Sequence, residues 1–407
     1  DLHNGRGRLR MWCIETAIIP GYDMTMTETI LANARIITDD DDFIGHIRFN
    51  EDGIIDLGKG ADVPAGAVDC LGDYVSAGLI ELHTDNLERH MQPRPGVTWP
   101  KKAAALAHDR ELAGAGITTV FDALRVGSMS DEKERTHGYS KYAREVGSVI
   151  LDLVDNKVLK VSHFLHLRAE LCTETLADEM GEFGLEDRVG IVSLMDHTPG
   201  QRQFRDIKKL REYLKGKHGY SDQGVDEHFA TLKHQQAIYG EKNRRFAIEK
   251  AGQLGSILAS HDDTTESDVA SSASDRIIIA EFPTTMEAAR KCRDHDQIIM
   301  MGAPNIIRGG SHSGNIAAAE LADAGLLDVL SSDYIPSSLL MAAVNLGQRW
   351  GSIAEGMATV TSHPARATGL DDRGGLTPGK RPDLLRFAVI DGMAVVRGVW
   401  TRGIQVA

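Results

Sequence analysis

Cysteine and long apolar runs are both scarce in this sequence. Only four cysteines occur in 407 residues, and they form neither a CxxC nor a zinc-finger spacing: Cys13, Cys70, Cys172 and Cys292. The cysteines therefore predict free thiols in a reducing, cytoplasmic setting. No run of about 18 apolar residues is present, so the sequence predicts no membrane-spanning helix and no membrane partner.

Positive charge is also in short supply. Lysine and arginine total 45 against 59 acidic residues, which gives a formal net charge of −14. This balance argues against nucleic acid as a partner, because its phosphates would be repelled. A small anionic substrate stays compatible, since bound metal ions and a few arginines can reverse the field locally.

The two ends of the chain differ in pattern from its middle. Residues 1–26 are predicted to be a disordered or extraneous extension, because a strand-like pattern starts only near Thr27. Residues 27–73 alternate short β-type runs with turn residues, and residues 372–407 return to this pattern. These two segments are predicted to build one small β-sandwich domain.

Residues 74–371 alternate apolar strands with helical segments, which is typical of parallel βα units. Eight strands are predicted: Val75–Leu82, Gly116–Ala123, His163–Leu171, Val189–Met195, Ser256–Ser260, Ile277–Phe282, Ile298–Ala303 and Val329–Ser332. They favour an α/β fold, a closed (β/α)8 TIM barrel, over a doubly wound open sheet, because no GxGxxG follows the first strand. The long helical connection 199–254 suits either a lid over substrate or a surface excursion.

Ligand-type residues recur where the predicted strands end. His83 and Asp85 close the first strand, and residues i and i+2 of a strand share a face. Active sites of barrels lie at the carboxyl ends of their strands. The sequence therefore predicts a binuclear centre for two divalent ions, zinc being favoured over manganese or iron, with six ligands: His83, Asp85, Glu170, His197, His261 and Asp333. Asp333 is also the predicted catalytic residue, accepting a proton from the attacking water.

The order of these strand ends, HxD, carboxylate, His, His and Asp, resembles the amidohydrolase superfamily. Asp85 stands where that superfamily has a second histidine, and no lysine stands where it often carries a carboxylated lysine. Glu170 is therefore the expected bridging ligand. His166 is expected to orient it, with a direct ligand role for His166 as the alternative. Longer segments, among them GLIELHTDNLE, HLRAEL, VSLMDHTPGQRQF and MGAPNIIRGGSHSGN, resemble the PhnM family, the phosphonate-metabolism branch of this superfamily, from about Thr27 onward.

This resemblance implies a diphosphatase that acts on α-D-ribose 1-methylphosphonate 5-triphosphate, a small anionic sugar phosphonate, in a homo-oligomer. Its phosphates would meet residues that follow the fourth and seventh strands, where glycines allow close backbone approach: Gln201, Arg202, Asn305, Arg308, Gly310, Ser311 and His312. A glycine-rich structural turn is the alternative there. A dihydroorotase-like cyclic-amide amidohydrolase and a non-catalytic scaffold remain the alternative functions.

Overall fold

Two eight-stranded sheets organise the chain in the computed structural model, which describes residues 28–39, 41–129, 140–200, 202, 207–218, 220–311 and 314–407. The predicted extension 1–26 lies outside these residues. The strands are β1 Thr29–Ile37, β2 Asp42–Asn50, β3 Gly53–Lys59, β4 Val68–Asp69, β5 Tyr74–Ala77, β6 Leu79–Thr84, β7 Ile117–Val126, β8 Ser162–Glu170, β9 Val189–Met195, β10 Ile257–His261, β11 Ile279–Glu281, β12 Ile298–Gly302, β13 Val329–Ser331, β14 Leu384–Ile390, β15 Met393–Thr401 and β16 Ile404–Gln405.

Helices follow most strands of the second sheet. They span Asn86–Met91, Lys101–Gly114, Ala143–Asp155, Leu176–Gly181, Ile207–His218, Asp222–Gln235, Glu241–Leu254, Glu266–Ser274, Met286–Asp294, Ala303–Arg308, Ala318–Asp323, Ser338–Trp350, Ile353–Ala358 and Ser362–Thr368. A 3-10 turn covers Leu185–Asp187 and a π-helical turn Gln236–Gly240. None of the described helices is both long enough and apolar enough to cross a membrane.

Strands β6 to β13 form a parallel sheet in sequence order. The sheet closes where its first and last strands meet, because the N–H of Asp85 donates to the carbonyl of Asp333 at 3.1 Å. In return, the N–H of Asp333 donates to the carbonyl of His83 at 3.2 Å. The predicted (β/α)8 barrel is therefore confirmed, and the open sheet is excluded.

The two chain ends build the other sheet, in the order β16-β15-β14-β5-β1-β2-β3, with β4 beside β1. This sheet curls so that the second strand from each edge approaches the other: the Phe49 ring of β2 packs edge-on against Trp400 of β15, with centroids 6.1 Å apart. The N–H of Ile54 also donates to the Lys380 carbonyl at 2.9 Å. The prediction of a small β domain made by both chain ends is confirmed, and its strands are joined in one hydrogen-bonded sheet.

The predicted strand Val75–Leu82 is wrong, because the chain changes sheets at Gly78. Strand β5 pairs with β1 and β14 of the curled sheet, whereas β6 opens the barrel. A Cβ atom at Gly78 would lie 2.2 Å from the Thr118 side chain, so only glycine fits this crossing. The Gly78 N–H donates to the Asp383 carbonyl, which holds the two sheets together here.

The long connection 199–254 is helical, as its composition predicts. Its last helix, Glu241–Leu254, buries Ala247 and Ala251 in the apolar layer outside β9. The two helices before it pack on each other through a separate small core: Leu210, Leu214, Tyr220, Val225 and Phe229. The segment thus combines an ordinary barrel helix with an added helical pair, and its closure over substrate stays a prediction.

The barrel interior changes from apolar to polar along the strands. One apolar layer receives a side chain from each of the eight barrel strands: Ile80, Phe121, Phe164, Ile191, Ala259, Ile279, Met300 and Val329. Two residues further along, where side chains point to the same face, five strands carry buried polar groups: His166, Ser193, His261, Glu281 and Ser331. The apolar layer thus forms the floor of a polar site at the carboxyl ends of the strands.

A buried ionic network lies outside the barrel wall, between β7, β8 and the helix Lys101–Gly114. His163 contacts Asp122 at 2.7 Å and Asp109 at 3.3 Å. Burial alone would lower the pKa of His163, but the two carboxylates outweigh it and raise that pKa to about 9. His163 is therefore a buried imidazolium, and both of its ring N–H groups donate to carboxylates.

We expect His163 to make stability depend on pH. Its pKa in the folded protein, about 9, lies above the value of about 6.5 expected in the unfolded chain, so its contribution is complete below pH 6.5 and is lost as the pH rises through 9. The shift corresponds to roughly 3 kcal/mol. Urea unfolding from pH 6 to 10 should show the stability difference between wild type and His163→Gln shrinking across this window. The exposed His295→Gln variant should track wild type, and a difference that stays constant with pH would contradict the assignment.

Candidate active site and metal centre

Glu281 lies at the centre of the polar layer. It is the last residue of β11 and has no solvent exposure. Its carboxylate oxygens lie 3.2 Å from Nδ1 of His261, 3.3 Å from Nδ1 of His83 and 3.4 Å from Nε2 of His166. The strand ends of β6, β8, β10 and β11 therefore converge on one buried carboxylate, which the sequence analysis did not single out.

One group that could hold a metal ion consists of His83, His166 and Glu281. Nδ1 of His166 lies 2.8 Å from the Leu82 carbonyl and so carries the proton, which leaves Nε2 as an acceptor, 2.9 Å from the Ser193 hydroxyl and 3.4 Å from Glu281. Metal-binding histidines are commonly oriented in this way. Nδ1 of His83 and Oε1 of Glu281 are buried without a hydrogen-bond partner. Buried polar atoms normally have partners, so these residues fit a divalent cation.

His197, His261 and Asp262 form a second such group. Nε2 of His261 lies 3.4 Å from Oδ2 of Asp262. Nδ1 of His197 contacts Glu170, which thereby orients the imidazole from β8. The ring centroids of His83 and His261 are 5.6 Å apart, so the two groups are neighbours within one site.

Burial sets the protonation of this cluster. Desolvation lowers the pKa of His166, lowers that of His83 well below its usual value and lowers that of His261 to about 3. These three imidazoles are therefore neutral near pH 7, the form that binds metal ions. Burial likewise raises the pKa of Asp262 to about 7 and, against the opposing charge of Arg168, that of Asp333 to about 6.

Three residues that follow strand ends have a left-handed backbone: Asp262 at φ 59°, Phe282 at φ 56° and Asp333 at φ 56°. This region is uncommon for residues other than glycine and strained for a bulky one. The N–H of each donates to the neighbouring strand, at Glu281, Met300 and His83 respectively. The bends turn the chain at the rim of the barrel, and the Phe282 ring packs 5.2 Å from His83 and 5.4 Å from His261.

The predicted metal residues separate into two sets. His83, His197 and His261 enter the ligand groups, and Glu170 supports His197. Asp85 lies outside both groups of the described residues, and its Oδ2 is 3.5 Å from the Arg168 guanidinium. Asp333 also lies outside them, at the point where the barrel closes. His166, predicted to orient Glu170, instead faces Glu281.

The phosphate-binding residues predicted after the fourth and seventh strands are only partly described. Gln201 and His312 lie outside the described residues, while Ser311 is half-buried. Arg202 donates through Nη1 to the His261 carbonyl and to Asp263, both at 2.6 Å. Its guanidinium is thus engaged in fixing the end of β10.

The glycine-rich segment after β12 ends a helix. Gly309, at φ 75°, caps the helix Ala303–Arg308, and the Gly310 N–H donates to the Asn305 carbonyl. The Asn305 side chain accepts the N–H of Ala318 at 3.0 Å. Arg308 is exposed. These contacts match the alternative of a structural turn, and they leave the phosphate role of this segment a prediction.

A buried parallel barrel with imidazole and carboxylate ligands at its strand ends defines a metal-centred hydrolase class. A family model described as "Amidohydrolase family" matches residues 74–406, and the chain belongs to this family. Alpha-D-ribose 1-methylphosphonate 5-triphosphate diphosphatase of Escherichia coli (strain K12) is 38% identical over 380 residues, which is 93% of this chain and 100% of the relative.

Solved structures agree in fold. N-acetylglucosamine-6-phosphate deacetylase from Pasteurella multocida matches with a TM-score of 0.57 at 13% identity, covering 94% of this chain and 100% of its own. A beta-aspartyl dipeptidase from Fervidobacterium islandicum AW-1 matches with a TM-score of 0.60 at 15% identity, covering 93% and 96%. At these identities the likeness supports the barrel and the appended sheet.

We expect Glu281→Gln to weaken metal binding, because the amide keeps the shape of the side chain but removes the charge that attracts a cation. Zinc, manganese and iron(II) would each be titrated into chelator-treated protein, with bound metal read by elemental analysis and the melting temperature read in parallel. Wild type should be stabilised by its metal, and Glu281→Gln should lose most of that stabilisation. The exposed Glu287→Gln variant is the matched control. Equal metal content in Glu281→Gln and wild type would refute this assignment.

Proposed function

We propose that this protein hydrolyses α-D-ribose 1-methylphosphonate 5-triphosphate, releasing diphosphate and leaving α-D-ribose 1-methylphosphonate 5-phosphate. The observation that carries this proposal is the 38% identity to the E. coli diphosphatase over 93% of the chain. The polar site at the carboxyl ends of the barrel strands supports it, because a phosphoanhydride needs charge neutralisation and a positioned water.

Two divalent ions, with zinc favoured over manganese or iron, are proposed as the cofactors. His83, His166 and Glu281 would hold one ion, and His197, His261 and Asp262 the other. Metal ions bound there would supply Lewis-acid polarisation of the phosphoryl oxygen and lower the pKa of a water molecule. Glu170 would keep the His197 ring in its binding orientation through their hydrogen bond.

Asp333 is proposed as the proton acceptor. Its backbone N–H donates to the His83 carbonyl, and its carbonyl accepts the Asp85 N–H. These bonds fix the backbone where the barrel closes and so hold the side chain beside the ligand groups. In the reaction, water oxygen forms a bond to the phosphorus nearest the ribose while the adjacent phosphoanhydride P–O bond breaks. Asp333 takes a proton from the water and returns it as the diphosphate leaves, so atoms and charge balance.

The cyclic-amide alternative has less support. The amidohydrolase superfamily often carries a carboxylated lysine at a strand end, and such a lysine would suit the cyclic amides. Among the described strand-end residues, β8 ends in Glu170 and β9 ends in Met195, with no lysine at either position. A carboxylate at the β8 position suits the proposed diphosphatase.

We expect Asp333→Asn to abolish most turnover while metal stays bound, because the amide cannot accept the proton from water. Phosphorus NMR of metal-loaded protein with the ribose triphosphate should show diphosphate for wild type, and no product when a chelator is added. Asp333→Asn should be slower by about 10²-fold or more, and the exposed Asp371→Asn variant should match wild type. Release of orthophosphate would place the attack at the terminal phosphorus, and opening of cyclic amides without diphosphate release would refute the proposed function.

A further inference from the structure

Arg168 is a cation inside the acidic site that none of the assignments above uses. It stands on β8 two residues after His166 and two before Glu170, so its side chain shares their inward face. Its Nη1 lies 3.5 Å from Oδ2 of Asp85, beyond the end of β6, and its Nε contacts the Met195 sulfur at the end of β9. The guanidinium therefore spans the mouth of the barrel above the polar layer.

The hydrogen-bonding capacity of Arg168 is largely unused. A guanidinium has five N–H donors. Within the described part of the chain, Arg168 donates one hydrogen bond, to the weak acceptor Sδ of Met195 at 3.4 Å. Its 3.5 Å approach to Asp85 is longer than a normal N–H···O hydrogen bond. Its side chain is 16% exposed, so the donors are reachable from the mouth of the site.

Arg202 provides the internal comparison. Its side chain is 9% exposed, and Nη1 makes two contacts of 2.6 Å, to the His261 carbonyl and to Asp263. Both arginines lie near the ligand groups, but Arg202 makes 2.6 Å hydrogen bonds to protein oxygens, whereas the contact of Arg168 with a carboxylate, Asp85, is 3.5 Å long. A structural arginine is expected to look like Arg202, whereas a ligand-binding arginine is expected to keep its donors available.

The charges around Arg168 place it beside the proposed chemistry. The carboxylates whose charge it senses most strongly are Asp85, Glu88 and, less strongly, Asp333. These groups line the mouth at the ends of β6 and β13. These carboxylates would repel an anion that enters between them, and the positive charge of Arg168 would offset that repulsion.

We propose that Arg168 binds the phosphate chain of the substrate, donating a fork of hydrogen bonds to phosphoryl oxygens next to Asp333. Arginine suits this role, because its planar donors match the oxygens of a phosphoryl group. Asp85 then acts as the residue that aims the guanidinium, in place of the metal ligation predicted from the HxD pattern. This inference rests on the proposed diphosphatase function.

The test compares Arg168→Met, Arg168→Lys and the control Arg188→Met. Arg188 is a partly buried guanidinium that precedes β9 at the opposite end of the barrel, where it stacks on Phe164. Inorganic tripolyphosphate is the binding probe, measured as an inhibitor and by calorimetry on metal-loaded protein. Metal content and melting temperature are recorded for each variant.

Arg168→Met should bind tripolyphosphate at least about tenfold more weakly, as expected for lost hydrogen bonds to a charged group. Its kcat/KM for the ribose triphosphate should fall at least as far, with metal content unchanged. Arg168→Lys should recover part of the binding, because it keeps the charge without the planar fork. Arg188→Met should bind tripolyphosphate like wild type.

Two results would overturn the assignment without touching the proposed function. In the first, wild type releases diphosphate but Arg168→Met binds tripolyphosphate as tightly as wild type does. In the second, Arg168→Met loses its metal together with tripolyphosphate binding, which would make Arg168 a residue that supports the metal ligands. A wild-type protein that releases no diphosphate would instead overturn the proposed function and this inference with it.

Discussion

The arrangement of the site depends on one buried carboxylate facing three imidazoles. Glu281 has nitrogen atoms of His83, His166 and His261 within 3.4 Å of its oxygens. His261 can donate its Nδ1 proton to Glu281 at 3.2 Å, but Nδ1 of His83 and Oε1 of Glu281 are buried with no hydrogen-bond partner. Burying these two atoms is costly unless a proton or a cation lies between them. Because burial also lowers the pKa of all three histidines, protons are disfavoured there. Burial therefore favours a metal cation over a proton between these side chains.

Such a layer is useful only if its members are held in place, and the closing seam of the barrel provides this. Glu81 is fully buried and accepts hydrogen bonds from the His83 N–H at 2.7 Å and the Ser331 hydroxyl at 2.9 Å. It also accepts the N–H of Ser332. One carboxylate thus joins β6 to β13 directly below the ligands. Burial raises the pKa of Glu81 to about 7, and its position is fixed by donors from both strands.

Much of this architecture could be predicted from the sequence, because each barrel strand and the polar residue at its end form a short, local sequence pattern. Eight apolar runs with polar residues at their ends predicted the barrel, and the rule that barrel active sites lie at the carboxyl ends of the strands predicted that His83, His197 and His261 would meet. The rule that residues i and i+2 of a strand share a face could have found Glu281, which lies two residues after Ile279 of the apolar layer. It was missed because the predicted strand Ile277–Phe282 ends one residue later than the observed strand, so Glu281 did not stand at a predicted strand end.

Other features depend on contacts between distant parts of the chain, which no local pattern reveals. The change of sheet at Gly78 is imposed by Thr118, which lies 2.2 Å from where a Cβ would be. Whether Asp85 faces a metal ion or an arginine depends on how β6 and β8 align across the barrel mouth. The glycines after β12 suit both a phosphate loop and a helix end, and the hydrogen bonds of Gly309 and Gly310 show the helix end, which the sequence pattern alone does not reveal.

The charge of the chain explains why a single arginine can matter in this site. With a net charge of −14, the protein as a whole repels a triphosphate. Asp85, Glu88 and Asp333 add negative charge around Arg168 at the mouth of the barrel. Attraction must therefore be local, and Coulomb energies are largest where water is excluded. Arg202 is already neutralised by the buried carboxylate of Asp263 at 2.6 Å. Arg168 lies 3.5 Å from Asp85, so its positive charge is less fully neutralised and can attract a phosphoryl group. A phosphoryl group bound there would lie beside Asp333, the residue proposed to accept the proton.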